Sequence, residues 1–279
     1  MSTAVDPSRV RHGRVNGRYF RENFAQGGID LVQIIPELVT NADAAIALGG
    51  RSAGRIVLRF GPPDPAFVAG WKRAMRQLRA PALLDWRHEL RCADDGIGMD
   101  AATVDRRLGA LGVLPDAGGQ RGLFGRGLRD VWLAQGGGRL EGVRDGRRVE
   151  SWFFFSGGDD PYAYLHVRDE ASTDPPGTSI TVPLAAGRPP ANARLRRLVG
   201  QLVQLRPVLE APARQLWLEL PGEGAQLVTL PVLEPDPERP LLANEEIEIA
   251  AGVRARVIVR RAAEPIPLSP SRVTRLGAW

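Results

Sequence analysis

Between residues 30 and 48 the apolar positions Leu31, Ile34, Ile35, Leu38, Ala42, Ala45 and Ile46 recur at helical spacing, and Gly49-Gly50 ends the run. Pro36 lies inside it, which predicts a kink or a restart, because proline has no N–H to give to the helix ladder. Glu37 and Asn41 are four apart and share one face of this helix. The pattern then predicts a strand at 54–60, a proline-rich loop at 61–65, a helix at 66–79 and a short strand at 90–93. A helix is expected at 101–111, a glycine-rich segment without apolar periodicity at 112–127, and a helix at 128–134. Strands follow at 139–144, 147–155, 162–168 and 178–184, the first two joined by the hairpin signal Asp145-Gly146. Helices interleaved with strands, then a run of strands, predict an α+β fold with helices on one face of its sheet.

After Pro189-Pro190 a helix is expected at 191–205, then strands at 215–220, 226–231, 245–250 and 254–260, separated by proline-rich turns. The chain is therefore divided into an N-terminal arm (1–28), a main domain (29–188) and a smaller, partial second α/β domain (189–279). The arm is polar and carries Arg9, Arg11, Arg14, Arg18 and Arg21. It reads either as a solvated segment with a short helix around 19–25 or as a strap that crosses to a partner subunit.

Composition changes the picture little. Apolar residues make up 43% and charged residues 25% of the 279, as in ordinary soluble globular proteins. No apolar stretch reaches the roughly 20 residues of a membrane span, and residues 1–16 hold no apolar signal region. No membrane partner and a cytoplasmic location are expected. Cys92 is the only cysteine, which excludes an internal disulfide and agrees with a reducing compartment. The net charge is +5 and Lys72 is the only lysine, so the excess is arginine. That fits a polyanion partner or a GC-rich genome. His12, His88 and His166 show no metal-ligand spacing.

The stretch with most chemistry is Cys92-Ala93-Asp94-Asp95-Gly96-Ile97-Gly98-Met99-Asp100. Glycines at alternate positions allow backbone conformations closed to other residues. A carboxylate accepts hydrogen bonds and would suit an exocyclic amine. Upstream lies Glu37-Leu38-Val39-Thr40-Asn41, and downstream Gly122-Leu123-Phe124-Gly125-Arg126-Gly127, then Gly177-Thr178.

These four motifs, in this order over residues 20–185, resemble the boxes of the GHKL ATPase superfamily: gyrase, heat-shock chaperone, histidine kinase and MutL. The G-L-F-G-R-G-L-R-D segment is closer to MORC-like and chaperone-like members. The resemblance implies a Bergerat-type sandwich of a mixed, mostly antiparallel sheet. It also implies an ATP/ADP site with Mg2+, slow ATP hydrolysis, and lid closure that drives homodimerisation. By the same resemblance Glu37 is the general base and Asn41 the magnesium ligand. Asp94 accepts from adenine N6, with Gly96 and Gly98 allowing close backbone approach and Met99 packing on the ring. Gly122, Gly125 and Gly127 cradle phosphates, Gly127 opening a helix whose N-terminus attracts anions. Thr178 supports Asp94 through a shared water. Many members place an acid seven residues after the Glu. Here Ala44 stands there and Asp43 comes one earlier, so Asp43 is read as a solvated surface acid. Asp95 is assigned nothing. The alternatives are a nucleotide-gated binding module with little hydrolysis, and a clamp on nucleic acid or a protein client.

Overall fold

The computed structural model describes residues 6, 9–13, 31–80, 86–109, 127–155, 162–184, 190–229, 241–250 and 253–260. The chain divides into two compact units, Met1–Leu230 and Pro231–Trp279. In the first, in chain order, are β1 (Val10–Gly13), α1 (Leu31–Leu48), β2 (Gly54–Gly61), α2 (Pro65–Gln77), β3 (His88–Asp94), α3 (Ala101–Leu108) and α4 (Gly127–Gln135). There follow β4 (Gly137–Arg144), β5 (Arg147–Phe155), β6 (Tyr162–Ala171), β7 (Gly177–Leu184), α5 (Asn192–Gln201), α6 (Arg206–Glu210), β8 (Arg214–Glu219) and β9 (Gln226–Leu227). The second unit holds the antiparallel hairpin of β10 (Leu241–Ala250) and β11 (Val253–Arg260).

Among the described residues β1 to β9 form one sheet in the order β1-β6-β5-β4-β7-β3-β2-β8-β9. Every pairing is antiparallel except β2 with β8, so the sheet is mixed and mostly antiparallel, and the fold is α+β. Alternation of side chains along each strand sends Leu58, Cys92, Leu140, Val149 and Ile180 to one face. There they meet Ile35 and Leu38 of α1, Val104 of α3, Trp132 of α4 and Val199 of α5. Local signals set the element ends as the residue types require. Asp64 accepts from the N–H of Ala66 (2.9 Å) ahead of Pro65, and Asp100 accepts from that of Thr103 (2.8 Å). Asp145 and Gly146 both have positive φ (49° and 73°), as a two-residue hairpin turn needs.

Five expectations are corrected. The helices do not all lie on one face. Phe67, Trp71, Ala74 and Met75 of α2 pack with Trp86, Trp152, Phe154 and Leu165 on the opposite face, because β5 and β6 alternate two apolar sets instead of one apolar and one polar. The break between units falls after Leu230, not after residue 188: β8 pairs in parallel with β2, and its Leu216 and Leu218 enter the main core. Residues 10–13 are an edge strand on β6 of the same chain, with Arg9 donating to the carbonyl of His166 (2.9 Å), where a solvated arm or a strap was expected. The helix expected at 191–205 stops at Gln201, because Leu202 turns extended (ψ 105°), and a 3-10 turn, Val203–Leu205, leads into α6. At Pro36 no break occurs; α1 is helical throughout its 18 residues.

Candidate nucleotide site

Helix α1 is the spine of the site. It is also the one described helix long and apolar enough to cross a bilayer by length and composition. Its residues Ile34, Ile35, Leu38, Val39, Ala42 and Ile46 are instead buried in the core. That burial fixes the remaining face, on which Glu37 and Asn41 stand. The Asn41 amide donates from Nδ2 to Glu37 Oε1 (2.8 Å). A carboxylate only accepts, so this contact takes the amide nitrogen and leaves Asn41 Oδ1, among the described residues, to act as an acceptor. Burial raises the pKa of Glu37, and the Asn41 hydrogen bond offsets part of the rise.

Strand β3 ends at Asp94, and the turn behind it is seated on α1. The N–H of Ile97 donates to the Ala45 carbonyl (3.2 Å), and a Cβ on Gly96 would run into the Ala45 backbone and Asp94 Oδ1. Gly98 has φ +72°, and a Cβ there would fall on the Val143 carbonyl oxygen. These two glycines are thus required by packing against α1 and β4, a reason additional to the close ligand approach expected of them. Met99 is half-buried and packs against the main core.

Asp94 accepts from the N–H of Gly96 (2.9 Å). Its pKa is raised to about 7; burial is the main cause, opposed by hydrogen bonds from the Gly96 and Thr178 backbones. Thr178 is the register partner of Asp94 across β3 and β7. Its Oγ1 is buried and, among the described residues, has no hydrogen-bond partner; the residue is 5% exposed. A buried hydroxyl left so costs free energy. Gly177, one residue earlier, lies so close to β3 that a Cβ would collide with the Asp94 carbonyl oxygen.

Gly127 opens α4 directly against Glu37: a Cβ on it would land on the Glu37 carboxyl group. Gly122 and Gly125 lie outside the described residues. The structure thus brings Glu37 to Asn41 and Gly127, the Asp94 turn to α1, and Asp94 to Thr178. Residues from four separated motifs meet around one helix.

Asp43 is not solvated. Its Oδ1 is paired with Arg214 Nε at 2.8 Å, with side-chain exposures of 20% and 8% respectively. Asp95 is also engaged: its Oδ1 accepts from the N–H of Arg55 (2.9 Å), and its Oδ2 is paired with Arg51 (3.2 Å). Both roles escaped the sequence, since Arg214 is 171 positions from Asp43 and no local pattern marks it.

The donor set fits a nucleotide with a magnesium ion. Asn41 offers one neutral oxygen, and Mg2+ takes most of its shell from water and phosphate. Among the described residues no group of three His, Cys, Asp or Glu could hold a metal without such help.

No family model matches the chain, and no curated protein matches it. Among solved structures it is similar to one described as the crystal structure of the N-terminal domain of a DNA repair protein. The TM-score is 0.41 and the identity 14%, over 75% of this chain and 54% of that one. The chain thus spans about half the length of that protein.

Proposed function

We propose that the Met1–Leu230 unit binds ATP or ADP with Mg2+ and hydrolyses ATP slowly, as the GHKL-like motifs imply. The observation that carries this reading is the meeting of Glu37, Asn41 and Gly127 at the start of α4, together with Asp94 beside the unpartnered Thr178 hydroxyl.

Asp94 and Thr178 would take the base. The carboxylate accepts from an exocyclic amine, and the Thr178 hydroxyl completes the hydrogen bonding through the base or a water. The N-terminus of α4 would face the phosphates, where free N–H groups favour negative charge. Mg2+, when bound, would neutralise charge on the phosphate oxygens, with Asn41 Oδ1 among its ligands. Glu37 would orient and deprotonate the attacking water, and its burial-raised pKa makes it a better base than an exposed carboxylate. Closure and homodimerisation belong to the same proposal, as does a cytoplasmic setting.

The test is calorimetric titration of ADP and a non-hydrolysable ATP analogue, with magnesium, into the wild type, Asp94→Asn and Glu37→Gln. Wild type and Glu37→Gln are expected to bind and Asp94→Asn to lose binding, while Glu37→Gln lowers turnover by about 100-fold or more. Binding unchanged in Asp94→Asn would sink the reading. Binding with no turnover in the wild type would favour a nucleotide-gated module over an ATPase.

A further inference from the structure

Asp94 is held by its neighbour. Asp95 bonds to both sides of the Arg55 peptide, its N–H donating to the Arg55 carbonyl (3.3 Å) and its Oδ1 accepting from the Arg55 N–H (2.9 Å). The Arg51 guanidinium grips the same residue at its backbone carbonyl and at Oδ2. Arg51 sits in the loop between α1 and β2, and that loop is in turn held by Arg214 at the start of β8. Arg214 donates from Nη1 to the carbonyls of Arg51 (3.1 Å) and Ser52 while its Nε is paired with Asp43 on α1. The backbone contributes one more tie, since the N–H of Gly54 donates to the Ala213 carbonyl (3.0 Å).

We propose that Arg214 is a positioning residue for the base-binding turn: anchored by Asp43, it fixes the Arg51–Ser52 loop from which Arg51 clamps Asp95, and so sets where Asp94 stands. This rests on the reading of Asp94 as the base acceptor. The geometry favours Arg214 over Arg51 as the governing group. The Arg214 side chain is 8% exposed and makes three directed contacts, whereas Arg51 is 50% exposed and open to competition from water and salt. A guanidinium is needed because one planar group must reach a carboxylate and two carbonyls from different elements. The same chain of contacts ties β8, the last long strand of the unit, to the turn in its middle.

The experiment uses the full chain and two variants, Arg214→Met and Arg214→Lys, read in three ways. Arg214→Met is expected to weaken ADP binding about tenfold, equivalent to about 1.4 kcal/mol, and to raise KM for ATP in step while kcat falls less. Arg214→Lys, which keeps the charge but cannot make all three contacts, should recover part of the loss. Hydrogen exchange at the amides of Asp95, Gly96 and Ile97 should quicken in both variants, with amides of β5 and β6 unchanged. A staple that merely joins α1 to β8 would lower Tm and leave ADP affinity and those three amides alone; that result overturns the proposal. If Arg214→Met fails to fold, Arg214→Lys carries the comparison. If the wild type binds no ADP, the nucleotide reading falls, and the exchange rates by themselves decide the positioning claim.

Discussion

Burial pushes the Asp94 carboxyl up to about 7 from the free value near 4; repulsion from Asp95 adds to the rise, and hydrogen bonds from the Gly96 and Thr178 backbones oppose it without cancelling it. Two consequences follow for a base-accepting carboxylate. Protons compete with the ligand's amine, so ADP affinity should fall roughly tenfold from pH 8 to pH 6, read by calorimetry at each pH. A flat profile would show that the ionised form is not the one that binds. Stability runs the other way. Between about pH 4 and pH 7 the folded state holds a proton that the unfolded chain has released, so stability declines as pH rises through that window. Asp94→Asn, which cannot ionise, should escape the decline. Its Tm advantage over the wild type should therefore grow by roughly several degrees from pH 5 to pH 8 in thermal melts.

Helix α2 shows how an element can satisfy its own pattern and still be misplaced. A helix was legible at 66–79, and the structure adds its Asp64 cap, its Pro65 start and its apolar stripe of Phe67, Trp71, Ala74 and Met75. The face it covers was not, because its partners on the sheet, Trp152 and Phe154 of β5 and Ala163 and Leu165 of β6, lie far along the chain. Trp71 stands edge-on to Trp86 at 5.1 Å and tilted to Trp152 at 5.7 Å. Trp71→Ala should therefore cost about 3–5 kcal/mol, seen as a lower denaturation midpoint, while nucleotide affinity is retained because the site lies on the other face. A variant that loses binding without losing stability would place α2 in the site. Helix α3 is tied down differently. Its Asp105 accepts from Tyr164 Oη (2.7 Å) and meets His166 Nε2 (3.0 Å), whose Nδ1 faces Ser151 Oγ at 2.8 Å. This chain of polar groups fixes the helix that follows the Asp94 turn.

At the scale of the whole molecule, the unit Met1–Leu230 depends on β8. Ile56 and Leu58 of β2 are fully buried, and their register partners Leu216 and Leu218 close the core beside them. A chain ending at residue 188 would expose that edge of β2 and lose Leu195, Val199 and Val208 as well. A chain ending at Leu230 should therefore unfold cooperatively and keep ADP affinity near that of the full chain. One ending at residue 188 should be insoluble or should melt at a much lower temperature. Equal melting of the two would place the domain boundary where the sequence pattern first put it.

The elements and the candidate chemistry were legible because their signals are local. Helical spacing identified α1, Asp145-Gly146 identified the hairpin of β4 and β5, and four short motifs singled out Glu37, Asn41, Asp94 and Thr178. Each depends on residues a few positions apart, and local backbone preference and burial pattern act over that distance. Tertiary structure decided what depends on contacts between distant segments. It set the face that α2 covers, the entry of β8 into the sheet beside β2 and the return of residues 10–13 to the edge of β6. It also decided the use of Asp43 and Asp95 as anchors for Arg214 and Arg51. A strand's pattern states which of its sides is apolar but not which neighbour it pairs with. An ion pair across 171 positions leaves no periodicity in the chain.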